Sequence, residues 1–272
     1  MRLALKNLVR SIIWFSSFPV RRRLDNMRGL HTGETCYLFG DGPSIKYFDL
    51  ANFNNFKSIA SNQIVHHLDF HKLKAQYWVL PDAMFYWPFR FRRNHFSYSD
   101  ERRHRKAYSP KQFKHSPIKP IINATNIPFC FSSQNLYFFD KFAGDQCTSI
   151  SSRPDAFAGT VNTLITIAIH LGFKRAYLVG FDYTHNPSLR RHWYERGPGV
   201  LNPLVDYNKD FFQRAQEEIE LFTVTLNGLS DCLPSISYKD LTGSEPIYCE
   251  NTSLLKSSQL AVLSGHRDYT IF

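Results

Sequence analysis

The densest chemistry in this chain lies just after Asp182, where His185, Arg190, Arg191, His192 and Tyr194 share one polar loop. Histidine titrates near neutrality, so His185 or His192 could take the proton of an attacking hydroxyl. Arg190, Arg191 and Tyr194 could meet the oxygens of a phosphate that leaves as an anion. A second polar set stands at the ends of short apolar runs. Gly40-Asp41-Gly42-Pro43-Ser44 follows Thr35–Phe39, Asn62-Gln63 follows Ser58–Ser61, and Asp82 follows Gln76–Leu80. Gly40 and Gly42 permit a tight turn and close approach of backbone N–H groups to a ligand. Each residue alone reads equally well as turn chemistry or a solvated loop. Their recurrence at three strand ends points to a site, because parallel strands present their carboxyl ends along one edge.

Holding such a set together requires a parallel sheet and a helix to return the chain. Gly159 and Thr160 open a segment, Val161 to Leu171, that is apolar on nearly every side. That pattern predicts a buried helix. Gly172 stands where a left-handed C-cap belongs. Ala176–Val179 then reads as a buried parallel strand, with Asp182 just past its end. Thr35–Phe39, Ser58–Ser61 and Gln76–Leu80 read as three more strands. Ile121-Ile122 and Pro128–Phe131 read as a further strand region, against which the aromatic stretch from Asn135 to Phe142 could pack. Asp210 to Leu226 has helix-compatible spacing, and Ile247–Cys249 reads as a last strand. Alternating strands and helices of this kind predict an α/β fold.

The chain has 272 residues and is 43% hydrophobic, enough for one domain with a sizeable core. Its formal net charge is +10. The charge is clustered, which favours an anionic membrane surface or a phosphate-bearing ligand over a merely solvated face. Residues 1–28 mix Leu8, Ile12, Ile13, Trp14, Phe15 and Phe18 with Arg2, Lys6, Arg10 and Arg21-Arg22-Arg23. The uncharged stretch is too short for a transmembrane helix, which needs ~20 apolar residues. A basic amphipathic segment on the membrane surface fits better, with a core-packing helix as the plainer reading. Residues 85–120 interleave aromatics with arginines and read as a basic aromatic insertion. No nucleic-acid recognition signature accompanies them, so nucleic acid is not an expected partner. Five scattered cysteines without a CxxC pair read as free thiols, and no resident metal is expected. No G-x-S-x-G elbow is present, which leaves a serine hydrolase without support.

Tyr37–Ile45, Ser61-Asn62-Gln63 and the stretch from Gly159-Thr160-Val161 to Gly180-Phe181-Asp182 resemble the bacterial sialyltransferases of the Campylobacter type. They are also similar to proteins of the motility-accessory, flagellin-glycosylation kind and to an archaeal hydroxymethylpterin pyrophosphokinase. The likeness covers roughly residues 35–82 and 157–255. It implies a single Rossmann-like domain over 29–272, with a mostly parallel sheet, helices on both faces and a lid insertion at 184–205. It further implies an inverting glycosyltransferase that moves a sialic-acid-like (nonulosonic or related keto-sugar acid) residue from a CMP-sugar to a cell-surface glycan or glycolipid acceptor. The donor is a substrate; no cofactor is implied.

By the same likeness Gly40, Asp41, Gly42 and Ser44 would face the donor nucleotide and phosphate, and Asn62, Gln63 and Asp82 would contact the donor. Gly159 and Thr160 would offer N–H and hydroxyl groups to its anionic parts. His192 matches the family's lid histidine and would be the base, with His185 as the other candidate. Asp41 stands where the family usually has Asn, and Thr184 where it has a lid tyrosine. The alternatives are a Mg-dependent pyrophosphokinase of the hydroxymethylpterin type, using Asp41, Asp82 and Asp182 as metal ligands, and a non-catalytic glycan- or lipid-binding protein. The expected setting is cytoplasmic and peripheral, on the inner face of the membrane, as a possible homo-oligomer.

Overall fold

The structure is a computed structural model and describes residues 2–87, 109–139, 159–203 and 209–250, with side chains from Leu8 onward. Two helices open the chain, α1 (Arg2–Ser16) and α2 (Phe18–Asp25). Strands β1 (Thr35–Phe39), β2 (Lys57–Ser61), β3 (Ala75–Leu80) and β4 (Lys119–Asn123) follow, then a helical turn α3 (Ile127–Cys130) and β5 (Leu136–Phe138). Helix α4 (Thr160–Leu171) leads to β6 (Arg175–Val179). An antiparallel ribbon of β7 (Leu189–Arg190) and β8 (Val200–Leu201), in the segment read from sequence as a lid, comes next, then α5 (Lys209–Glu218), β9 (Glu220–Thr225), β10 (Ser235–Ser237) and α6 (Tyr238–Thr242).

Eight strands form one sheet in the order β10-β9-β6-β1-β2-β3-β4-β5. Every pairing in it is parallel. The chain builds outward from β1 to β5, then crosses back through α4 to lay β6 on the other side of β1. The order therefore reverses between β1 and β6, and the crevice outside that point is where open α/β sheets bind ligands.

The two-residue period of the strands sorts the core into two layers. Cys36 and Leu38 face one side, with Ile59, Val79 and Leu178, under Leu164, Ile165, Ile167, Ala168 and Leu171 of α4 and Phe211, Phe212 and Ala215 of α5. Tyr37 and Phe39 face the other side, under Ile45, Leu50 and Phe53 of two short 3-10 turns, Ile13 of α1 and Tyr238 of α6. Each fully buried aliphatic side chain contributes about 1.5–3 kcal/mol, so α4 alone is a large share of the stability. It ends as its glycine predicts, with Gly172 at φ 89° and N–H bonds back to the last turn.

Three elements differ from the reading of the sequence. Pro128 lies inside the short helix α3, where proline suits the first turn, and the edge strand is Leu136–Phe138 instead. The helix begun near Asp210 stops at Glu218, and Glu-Leu-Phe-Thr-Val-Thr becomes β9 beside β6. Its β-branched residues suit a pleated, buried surface better than a helix interior. Ile247–Cys249 joins no strand of the sheet; Ile247 and Cys249 donate their N–H groups to Tyr47 O and Lys46 O. Residues 88–108 of the basic insertion, the stretch before Gly159 and the end of the lid lie outside the described residues.

A Cβ at Gly172 would stand 2.8 Å from Gly29 Cα, at a φ that L-residues resist. Gly172→Ala is expected to lose about 1–3 kcal/mol, seen as a lower urea midpoint at unchanged slope.

Candidate active site

The loops after β1 and β6 are knitted together at the crossover point. Gly42 N–H donates to Gly180 O at 2.8 Å. A Cβ on Gly40 would lie 2.6 Å from Gly180 O, and one on Gly42 would lie 2.7 Å from Asp182 Cγ, so both positions need glycine. Asp182 is buried. Its carboxylate accepts Ser44 N–H at 2.5 Å and, by a short bond, the Ser44 hydroxyl. Ser44 and Asp182 thus spend their polar groups on each other, and both act here on the shape of the loop. His185 is also buried, with Nε2 3.6 Å from Asp182 Oδ1; burial lowers its pKa.

Asp41 turns the other way, toward β2. It accepts the Gln63 N–H at 3.0 Å and the Trp193 indole N–H at 3.3 Å, and its carbonyl accepts Trp193 N–H at 2.9 Å. Burial pushes its carboxyl up to about 6, against the pull of the Gln63 N–H and nearby His192. Asn62 adopts φ 44°, which asparagine tolerates better than most residues. Its Nδ2 donates to Thr160 Oγ1 at 3.3 Å, and its enclosed Oδ1 has no hydrogen-bond partner among the described residues. Gly159 caps α4 at φ 112° without a capping side chain, which leaves the first N–H groups of a twelve-residue helix beside Asn62. Such a terminus attracts anions.

The loop after Asp182 brings His192 close to Asp41, through the two bonds that its neighbour Trp193 gives Asp41. His192 Nδ1 is 2.7 Å from Glu195 Oε1, and its ring stacks on Tyr194 at 5.0 Å between centroids. The Glu195 side chain is 1% exposed while that of His192 is 37% exposed. A buried carboxylate on Nδ1 favours the tautomer with Nδ1 protonated and Nε2 basic. The lid is anchored by Lys46, itself buried, which donates to Glu195 O, to Gly197 O at 2.9 Å and to Glu250 Oε2 at 3.0 Å. Trp193 is buried edge-on against His67 at 5.1 Å.

Asp41, Asn62, Gln63, Thr160 and His192 therefore gather at one edge, with Gly40 and Gly42 in the turn beneath and Gly159 at the adjoining helix end. Ser44, Asp182 and His185 form a second, supporting group. Asp82 stands apart at the end of β3, its carbonyl accepting Asn126 Nδ2 at 2.9 Å. Arg190 is exposed on the ribbon, and Arg191 gives a guanidinium N–H to Arg196 O at 3.2 Å. Sequence reasoning passed over Glu195 and Lys46. The spacing of His192 and Glu195, three apart on one turn, was the available signal for the first; nothing local marks the second. Among the described residues no three His, Cys, Asp or Glu side chains stand close enough to share a metal ion.

No family model matches the chain, and no curated protein matches it. Among solved structures it is similar to a sialyltransferase from Campylobacter jejuni, determined in complex with a substrate analogue, cytidine-5'-monophosphate. That likeness spans 86% of this chain and 98% of the other, at 13% identity and a TM-score of 0.42.

The raised Asp41 pKa has a signed consequence for stability. An unfolded aspartate titrates near ~3.9. Between that pH and about 6 the folded chain keeps a proton the unfolded chain has lost, so Asp41 lowers stability progressively as pH rises across this window. Relative to Asp41→Asn, the wild type should lose up to about 3 kcal/mol between pH 4 and pH 7, read from urea melts at each pH.

Proposed function

We propose that this chain is an inverting glycosyltransferase that takes a sialic-acid-like keto-sugar acid from a CMP-sugar and gives it to a glycan hydroxyl. The observation that carries this reading is the His192–Glu195 pair at 2.7 Å, held over the same sheet edge as Asp41, Asn62, Gln63 and Thr160. Residues from four stretches of sequence converge there, and three of those stretches, at Asp41, at Asn62-Gln63 and at Thr160, belong to the motifs that resemble sialyltransferases.

In the reaction, the bond from the anomeric carbon to the phosphate oxygen breaks as the bond to the acceptor oxygen forms on the opposite face. The electron pair leaves with CMP. The acceptor proton passes to His192 Nε2, while Glu195 holds Nδ1–H and stabilises the imidazolium that results. The first N–H groups of α4, with Thr160, would receive an anionic group of the donor. Asn62 Oδ1, enclosed and without a partner among the described residues, is suited to accept a donor hydroxyl or amine. His185 is buried beneath the crossover loops, so the base role falls to His192 alone.

The pyrophosphokinase alternative needs carboxylates free to converge on Mg2+. Here Asp182 is bound to Ser44, and Asp41 to Gln63 and Trp193. A plain binding protein would have no use for a buried carboxylate aligned on a half-exposed histidine.

CMP should raise the melting temperature without Mg2+, by about 2.7 kcal/mol of stabilisation at a hundredfold excess over Kd. A response to ATP with Mg2+ alone would overturn the transferase reading. His192→Ala should keep the CMP response and lose about 10²–10⁴-fold in donor turnover, measured as CMP release in the presence of a glycan acceptor.

A further inference from the structure

The flank of the sheet formed by α1 and α2 carries two features that the proposed transferase site does not use. The first is an apolar ridge. Leu8, Ile12 and Phe15 are 58%, 58% and 76% exposed. Their spacing of four and three puts them on one side of α1. The opposite side is spent on the domain: Ile13 is buried, and Trp14 packs edge-on against Phe139 at 5.6 Å. Phe18, the first residue of α2, is also 46% exposed. A helix whose inner face is already satisfied has no folding reason to present aromatic and aliphatic side chains outward.

The second feature is a cleft of about 460 Å³ beside α2, at the amino-terminal side of β4 and β5 and hence away from the carboxyl-edge site. Arg23, Lys114 and Lys119 line it together with the apolar Met27, Phe113 and Leu136, and among the described residues no carboxylate lines it. Arg23 is steadied there by donating to Asn135 O at 3.2 Å. Three cations around an apolar floor, with no counter-charge among the described residues, are an anion site with room for a hydrocarbon stem. Arg22 and Arg28, both exposed, stand on either side of Arg23 in sequence.

We propose that this flank docks on an anionic membrane, with the Leu8–Ile12–Phe15 ridge entering the headgroup layer and the basic cleft receiving the phosphate of a glycerophospholipid. The ridge supplies apolar burial and the cleft supplies charge, the pair of signals that interfacial binding requires. The edge strand β5 lies under both, since Trp14 packs on the residue that follows it and Leu136 lines the cleft. Among the described residues no helix is long and apolar enough to cross a membrane.

The test is sedimentation of the full chain with vesicles of phosphatidylcholine, with and without phosphatidylglycerol. The wild type should bind the anionic vesicles, and more weakly as salt rises. Phe15→Glu should lose about tenfold or more. Lys114→Gln with Lys119→Gln should lose about fivefold per charge, on anionic vesicles only. All these side chains are exposed, so melting temperatures and the CMP response should stay as in the wild type. Equal binding to both vesicle types, no binding to either, or undiminished binding by Phe15→Glu would overturn the proposal. So would a dimer in ultracentrifugation that Phe15→Glu dissolves while vesicle binding is absent, because the ridge would then be a subunit contact. Binding of free glycerol phosphate without vesicle binding would assign the cleft to a soluble ligand and overturn it as well.

Discussion

The buried Asp182 carboxylate, bonded to the N–H and hydroxyl of Ser44, is the contact from which the rest of the carboxyl edge takes its shape. It ties the loop after β6 to the loop after β1 across the point where strand order reverses. The tie is possible because Gly40, Gly42 and Gly180 let backbone approach backbone with no Cβ in the way. A buried carboxylate that accepts only one partner is costly; one that accepts an N–H and a hydroxyl is held. With these two loops in close contact, Asp41 is directed to Gln63 after β2 and to Trp193. The open chemistry therefore lies over β1 and β2 and the start of α4.

Lys46 extends that control to the lid. An ammonium group enclosed in protein costs several kcal/mol unless it is met by acceptors. Lys46 meets two lid carbonyls, Glu195 O and Gly197 O, and the Glu250 carboxylate. Glu250 in turn accepts the Gly197 N–H at 3.1 Å. The first loop, the lid and the segment near residue 250 are thus joined through one cation. Glu195 is fixed from its backbone by Lys46, and its side chain fixes His192. His192 gains a defined orientation by this route, as the proposed role of general base requires.

Opposite ends of the molecule divide two kinds of polarity. Past the ends of β3 and β4, polar groups are enclosed and paired: Asn123, Thr125 and Asn126 are fully buried, Asn123 accepts from Thr125, and Thr125 and Asn126 hold Met84 N, Tyr86 N and the Trp87 indole in place. Around α2 and the amino-terminal side of β4, positive charge reaches the surface, and among the described residues no carboxylate lines its cleft. The first arrangement suits a site that must orient a reactant. The second suits a surface that must attract and release one, since exposed charges are screened and exchange readily.

Local sequence determined a good deal of this protein. Gly159 and Gly172 bracket α4 because a helix needs a cap at one end and a left-handed residue at the other. The runs at Thr35–Phe39, Lys57–Ser61, Ala75–Leu80 and Arg175–Val179 are strands because nothing but a two-sided buried sheet absorbs such residues. Pattern was ambiguous where periods compete, and Glu220–Thr225 became a strand because β6 offered it a ladder. The polar strand ends were legible as a set, but not which of them work as a pair. That Asp182 serves Ser44, that Asp41 faces Gln63 and Trp193, and that Lys46 holds Glu195 are decided by contacts between residues 138, 22 and 149 positions apart. Such pairings depend on the order of strands in the sheet and on the crossing of α4, which one-dimensional spacing does not contain. Only the tertiary structure separates the histidine that reaches the surface, His192, from the one that is buried, His185.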